Sequence, residues 1–147
     1  MKAVIQRVLS ASLSVDGQLI SQIGKGLVVY FGVGKGDTEA NADLLVRKIA
    51  NMRIFEDENG KMNHSVSSMG GEILFVSQFT LYGDCRKGNR PSFTEAEAPD
   101  RANELYEYAY RAIAETGVPV KKGVFGADMK IQQYCDGPVT IIYDSGN

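Results

Sequence analysis

Glu72-Ile-Leu-Phe-Val-Ser-Gln-Phe-Thr-Leu-Tyr82 is the most strongly strand-like stretch of the chain. Aliphatic, aromatic and β-branched side chains crowd its first half, as a strand buried on both faces requires. Its second half turns polar at Ser77, Gln78 and Thr80, directly before a glycine- and arginine-bearing loop. A strand is expected over 72–82. Upstream, residues 2–9 and 11–15 alternate apolar with polar side chains, Asp16-Gly17 supplies the positive-φ positions of a tight turn, and 18–23 folds back. Residues 26–33 read as a buried strand. Gly34, Gly36, Asp37 and Thr38 then lead into a helix over about 39–51, with Leu45, Ile49 and Met52 on one face. Residues 53–56 and 61 onward flank Asn59-Gly60, a second hairpin signal. Downstream, Pro99 opens a second helix and Gly117 closes it, with Ala102, Leu105, Tyr106, Ala109 and Ile113 at helical spacing. Residues 118–125, 129–134 and 139–143 finish the chain as strands. Many short strands with two helices, outside strict βαβ alternation, predict one α+β domain over 1–147 with a curved, barrel-like sheet.

Composition limits what that domain can do. Its 147 residues are 44% hydrophobic and 23% charged, with a formal net charge of −2, and a chain of this length buries roughly 68 to 70% of its unfolded surface. Disorder and fibrous architecture are excluded. The apolar runs 27–31 and 73–76 fall far short of the ~20 residues of a membrane helix, and Gln6 and Arg7 interrupt the stretch a signal peptide would need. The expected location is the cytoplasm, with no membrane contact. One histidine, His64, and two cysteines, Cys85 and Cys135, leave no zinc-binding pattern. His64 follows a turn in a polar stretch and reads as a surface residue, so no catalytic triad is built on it.

Four segments invite a chemical reading. Gly32-Val-Gly-Lys-Gly36 lacks the spacing of a phosphate-binding loop, and Asp37 stands where a dinucleotide fingerprint needs its third glycine, so it reads as a strand-to-helix turn. Arg86-Lys87-Gly88-Asn89-Arg90 is the densest positive cluster, with Lys121 and Lys122 as a second patch. Solvated surface and contact with a few phosphates both fit the loop. Ser77-Gln78-Phe79-Thr80 taken alone reads as a strand edge with satisfied hydroxyls, because a hydroxyl without an adjacent base is a poor nucleophile. Gly137-Pro138 taken alone is a turn.

In this order, however, the segments resemble the D-aminoacyl-tRNA deacylase family, first described as D-tyrosyl-tRNA deacylase. The resemblance spans the chain, from Met1-Lys-Ala-Val-Ile-Gln-Arg-Val8 through Arg53-Ile-Phe-Glu-Asp57, Gly60-Lys-Met-Asn63, Ser77-Gln-Phe-Thr-Leu-Tyr82, Cys85-Arg-Lys-Gly-Asn-Arg-Pro-Ser-Phe93 and Phe125-Gly-Ala-Asp-Met129 to Gly137-Pro-Val-Thr140. One departure is visible: Cys135 occupies the place of the asparagine in the family's usual Asn-x-Gly-Pro-x-Thr.

The resemblance implies a cytoplasmic homodimer, without cofactor or metal, that hydrolyses the ester between a D-amino acid and the 3′-terminal adenosine of tRNA. Glycyl-tRNA is expected to be attacked to some degree. On the family pattern Ser77, Gln78, Phe79 and Thr80 form the catalytic segment, with amides around Gln78 and Phe79 facing the ester carbonyl. Thr80 has no histidine or lysine in its motif to take a proton, so water is the expected attacking group, assisted by the vicinal 2′-hydroxyl. Gly137 and Pro138, joined by a cis bond and followed by Val139 and Thr140, are expected to reach into the partner's pocket and hold the α-amino group. Arg7 is the expected brace of that element, against a plain reading as an edge-strand charge. Phe125 and Met129 are expected to line the adenosine or substrate pocket, or to pack in the core. A serine or threonine esterase and a non-catalytic tRNA-binding module are the rival readings.

Overall fold

The computed structural model describes residues 1–146. The chain runs β1 (Lys2–Val15), β2 (Gln18–Ile23), β3 (Gly26–Gly32), α1 (Glu39–Asn51), β4 (Phe55–Glu56), β5 (Met62–His64), β6 (Glu72–Ser77), α2 (Pro99–Glu115), β7 (Val120–Lys122) and β8 (Lys130–Asp144). The long β1 organises the sheet. Its first half pairs with β3, its second half with β2, and its whole length with β8 on the opposite edge. β6 lies parallel to β3, and β7 parallel to β6. Parallel neighbours cannot be joined by a hairpin. The two helices therefore sit on the crossovers, α1 between β3 and β6 and α2 between β6 and β7.

Alternation along the strands gives the sheet two apolar faces. Leu27, Val29, Phe31, Ile73 and Phe75 pack under the helices with Leu45, Ile49, Leu105, Tyr106 and Ile113. Val28, Leu74 and Val76 point the other way and meet Val8, Ala11, Leu13 and Ile23. This second cluster curls the sheet into a nearly closed barrel. Where β2 approaches β7 the seam is made by side chains, with Ser21 Oγ donating to the Lys122 carbonyl and Lys121 Nζ to the Gln22 carbonyl, both at 2.6 Å. The α+β class and the two-helix, barrel-like architecture are as the sequence predicts. No helix among the described residues is long and apolar enough to cross a membrane.

Three expectations change. Residues 2–9 and 11–15 form one strand, since β8 pairs across the junction at Ser10. Residues 129–134 and 139–143 are likewise the two ends of β8, and of the strand expected over 118–125 only Val120–Lys122 is paired. Most consequential, the strand expected over 72–82 ends at Ser77 and a 3₁₀ turn, Phe79–Tyr82, follows. The apolar content of Phe79, Leu81 and Tyr82 mimics a strand, but β3 runs out beside it. Phe31 is the last partner of β6, and the next amide, Gln78 N–H, bonds back to the Phe31 carbonyl at 2.8 Å. The chain then crosses the end of β3 over two residues without side chains. A Cβ on Gly32 would stand 3.0 Å from the Gln78 carbonyl oxygen, and one on Gly34 2.6 Å from the Tyr82 ring.

Candidate active site

The end of β6 opens into a cavity of about 650 Å³. Val76, Ser77, Gln78 and Phe79 form one wall; Phe93, Glu97 and Pro99, leading into α2, form another; Phe125 and Met129 form a third. Five of the residues expected from sequence, Ser77, Gln78, Phe79, Phe125 and Met129, thus meet around one space, and Phe79 is 56% exposed. α2 is held against this wall by Tyr106, whose hydroxyl donates to the Phe75 carbonyl at 2.6 Å while its ring stacks on Phe75 at 5.0 Å. Phe125 serves cavity and core together, standing 6.0 Å from the Tyr106 ring. Phe93 and Glu97 were not singled out as cavity residues by sequence. The only local signal for them is their position between the basic loop and the proline that starts α2.

The 3₁₀ turn sets which amides of the segment are already bonded. Gln78 N–H is committed to Phe31. The amides of Phe79 and Thr80 begin the turn, where a helix has no internal acceptor for its first N–H groups. Thr80 is exposed, does not line the cavity, and its hydroxyl is hydrogen-bonded to the Gln78 side-chain amide. No base stands beside it.

Arg7, Gly137, Pro138, Val139 and Thr140 lie elsewhere, and none lines the cavity. Gln6 pairs with Thr140 and Val8 with Cys135, so Asp136–Val139 bulges from β8 opposite the single residue Arg7. The Gly137-Pro138 bond in this bulge is cis, and Gly137 has φ +127°. Only glycine takes that conformation readily. A Cβ there would also stand 2.8 Å from the Val139 nitrogen and 3.3 Å from an Arg7 guanidinium nitrogen. Arg7 is 5% exposed on a strand paired along both edges, which excludes an edge-strand charge. Its guanidinium donates to the Ile54 carbonyl at 2.8 Å and to the Asp136 carbonyl at 3.1 Å, and pairs with the Asp136 carboxylate at 3.3 Å. The bulge is rigidly held yet Gly137 and Pro138 are exposed.

Beside the bulge, Cys135 is exposed and receives a single contact, from Gln133 Nε2 at 3.6 Å. Gln133 bonds chiefly elsewhere, to the Gln6 side-chain oxygen at 2.9 Å and to the Tyr30 hydroxyl, and Gln6 in turn reaches Thr140 Oγ1 at 3.4 Å. Burial first, and then the neighbouring Cys135, push the Tyr30 phenol up. His64 is half-buried on β5 opposite Phe55 and does not line the cavity. The amides of the glycine cluster are occupied: Gly34 N–H donates to Asp37 at 2.7 Å and Lys35 N–H to the Glu95 carbonyl at 3.0 Å.

Comparison with known proteins places this arrangement. Residues 4–144 match the family described as D-Tyr-tRNA(Tyr) deacylase. A D-aminoacyl-tRNA deacylase of Desulfitobacterium hafniense (strain DSM 10664 / DCB-2) is 54% identical over 145 residues, 99% of this chain and 97% of that one. One of Rhodopirellula baltica is 54% identical over 144 residues, 98% and 99% of the two chains. Among solved structures, a c-Myc DNA unwinding element binding protein superposes with a TM-score of 0.93 at 44% identity, covering 98% of each chain. A probable eukaryotic D-amino acid tRNA deacylase shares the fold, with a TM-score of 0.81 at 19% identity and 97% of each chain covered. With nearly the full length matched at this identity, and with the motif residues disposed around a cavity and a braced cis bulge, the chain belongs to the D-Tyr-tRNA(Tyr) deacylase family.

Proposed function

We propose that this chain, a hydrolase of D-aminoacyl-tRNA esters by its family, works as a homodimer in which each cavity is completed by the partner's Gly137-Pro138. The observation that carries this reading is the separation of the two regions: the cavity opens at the end of β6, while the bulge projects, exposed and braced, with nothing of its own chain to act on. A second copy is favoured by β8 itself. Among the described residues it pairs with β1 alone, leaving one long edge open, and it presents Tyr134 and Ile142 at 66% and 77% exposure. An unprotected edge with exposed apolar side chains is a surface that proteins cover.

An aminoacyl ester is already activated, which fits a site poor in catalytic side chains. The ester carbonyl sits over the free amides of Phe79 and Thr80, donors of the kind whose loss slows acyl transfer by ~10² to 10³. Water attacks the carbonyl carbon, the C–O bond to the 3′ oxygen breaks, and the vicinal 2′-hydroxyl of the adenosine assists proton transfer. Phe125 and Met129 enclose the adenosine end. The carbonyls of Gly137 and Pro138, with Val139 and Thr140 behind them, accept from the substrate's α-ammonium group. Fixing ammonium and carbonyl leaves one direction for the third substituent. A D side chain points outward, whereas an L side chain meets the Gly-Pro backbone whatever its size beyond the first carbon.

The products are free D-amino acid and reusable tRNA, so the reaction is chiral proofreading in the cytoplasm. Glycine has no side chain to reject, and glycyl-tRNA is attacked to some degree. Single-turnover hydrolysis of D-, L- and glycyl-tRNA tests the filter: D-Tyr, D-Phe and D-Asp esters are cleaved and L-Tyr, L-Phe and L-Asp resist. Comparable cleavage of D-Ala and L-Ala esters would defeat it. A 2′-deoxy terminal adenosine slows hydrolysis if the hydroxyl assists.

A further inference from the structure

The basic loop beyond the 3₁₀ turn is a built hairpin. Asp84 and Ser92 exchange both backbone hydrogen bonds, at 2.8 and 2.9 Å. Its base is fixed to the cavity rim. Gly83 lies against the Phe93 ring and Pro91, where a Cβ would stand 3.1 and 3.7 Å away, and Phe93 meets Phe79 edge-on at 5.1 Å, both rings lining the cavity.

The three cations of the hairpin are not equivalent. Arg86 is committed to Asp84 through contacts of 2.7 to 3.0 Å, which hold the Asp84 carboxyl down at about 2. Lys87 and Arg90 are exposed and, among the described residues, have no carboxylate within ion-pair distance. Lys121 and Lys122 differ, the first bonded to the Gln22 carbonyl and the second paired with Glu107 at 2.6 Å. Four residues separate Ser92 from the tip at Gly88, an extended span of at most ~14 Å. Both free charges therefore stay within reach of the last few nucleotides of any strand whose terminus enters the cavity. In a chain of net charge −2, with Glu97 and Asp128 on the cavity wall itself, they are cations held beside the entrance.

Resting on the reading of the cavity as the ester site, we propose that Lys87 and Arg90 bind phosphodiester oxygens of the unpaired 3′ end of tRNA, and that the Arg86–Asp84 pair stiffens the stem from which they reach. The grip is electrostatic and blind to sequence, as phosphate contacts are.

Binding of deacylated tRNA, followed by fluorescence anisotropy across a salt series, reads this contact without turnover. The double variant Lys87→Ala/Arg90→Ala binds about tenfold more weakly at low salt, and its slope of log Kd against log salt falls by about 1.4, from ~0.7 per phosphate on a single strand. Lys87→Arg keeps the affinity and Lys87→Glu weakens it further, with circular dichroism confirming the fold of each. A tRNA trimmed of its unpaired 3′ end binds the native and double-variant proteins alike. An unchanged slope overturns the assignment, and so does an equal loss of affinity for the trimmed tRNA. Hydrolysis of D-tyrosyl-adenosine, which carries no phosphodiester, is measured in parallel. If the native protein leaves both that ester and D-tyrosyl-tRNA intact, the deacylase reading fails, whereas the phosphate contact stands or falls by the binding slopes alone.

Discussion

The cavity at the end of β6 and the bulge of β8 are built on opposite principles. The cavity lies where a strand stops and a 3₁₀ turn begins, and the first amides of that turn, those of Phe79 and Thr80, have no acceptor within it. The bulge is an exposed loop of β8 whose backbone is braced by a side chain, with Arg7 bonded to the Asp136 carbonyl within it and to the Ile54 carbonyl of the segment before β4. On the proposed homodimer each has what the other lacks: the partner's bulge would complete the cavity, one region facing the ester carbonyl and the other the α-ammonium group.

The sharpest way to break this comparison is Gly137→Ala. The added methyl meets the Val139 nitrogen at 2.8 Å and forces a side chain onto φ +127°, so the bulge must move. The expected loss of kcat/KM on D-aminoacyl-tRNA is about 100-fold or more, while strain of ~1 to 3 kcal/mol lowers the melting temperature by only a few degrees. Mixing this subunit with one defective around Gln78 should restore part of the activity, because one of the two sites in the heterodimer has both intact parts. No recovery after confirmed subunit exchange would place the two regions in separate functions.

Arg7→Met tests the brace. The Ile54 carbonyl is left without its buried donor and the Asp136 carboxylate without its partner, for a stability loss of about 2 kcal/mol seen in urea unfolding and roughly tenfold lower activity. Arg7→Lys should recover little, since an ammonium cannot span two carbonyls as the planar guanidinium does.

On the cavity side the prediction is smaller. Thr80→Ala removes a hydroxyl that faces solvent and Gln78, and should keep at least about a third of the native rate, because the turn supplies amides and not a nucleophile. An acyl-enzyme at Thr80 in mass spectra would reverse that assignment. Smallest of all is Cys135→Asn. The thiol has one weak contact, and an exposed substitution of this kind changes stability by less than about 0.5 kcal/mol, with activity expected to stay within about twofold.

Strong local signals made much of this legible in the sequence. Asp16-Gly17, Thr38, Asn59-Gly60 and Pro99 are local devices, whose consequences lie within a few residues of themselves, and the structure places turns or helix starts at each. Ser77–Thr80 and Gly137-Pro138 were readable as motifs. Their geometry was not. Phe79, Leu81 and Tyr82 have strand-like side chains, and only the exhaustion of β3 at Gly32 makes them a turn, a fact about a partner strand some fifty residues away.

Arg7 shows the same boundary from the other side. Its sequence neighbours say charged residue on an apolar strand, and nothing local distinguishes an edge charge from a buried brace. That was decided by Asp136, brought to it by the pairing of β8 with β1, and by Ile54, brought to it by the segment before β4. The sequence by itself determined the elements, the capping and turn positions and the family motifs, because these depend on side-chain periodicity and backbone freedom over a few residues. Tertiary structure alone decided where β6 stops, which amides are spent, and that no residue of the bulge lines the cavity of its own chain, because each of those depends on which distant segment arrives beside it.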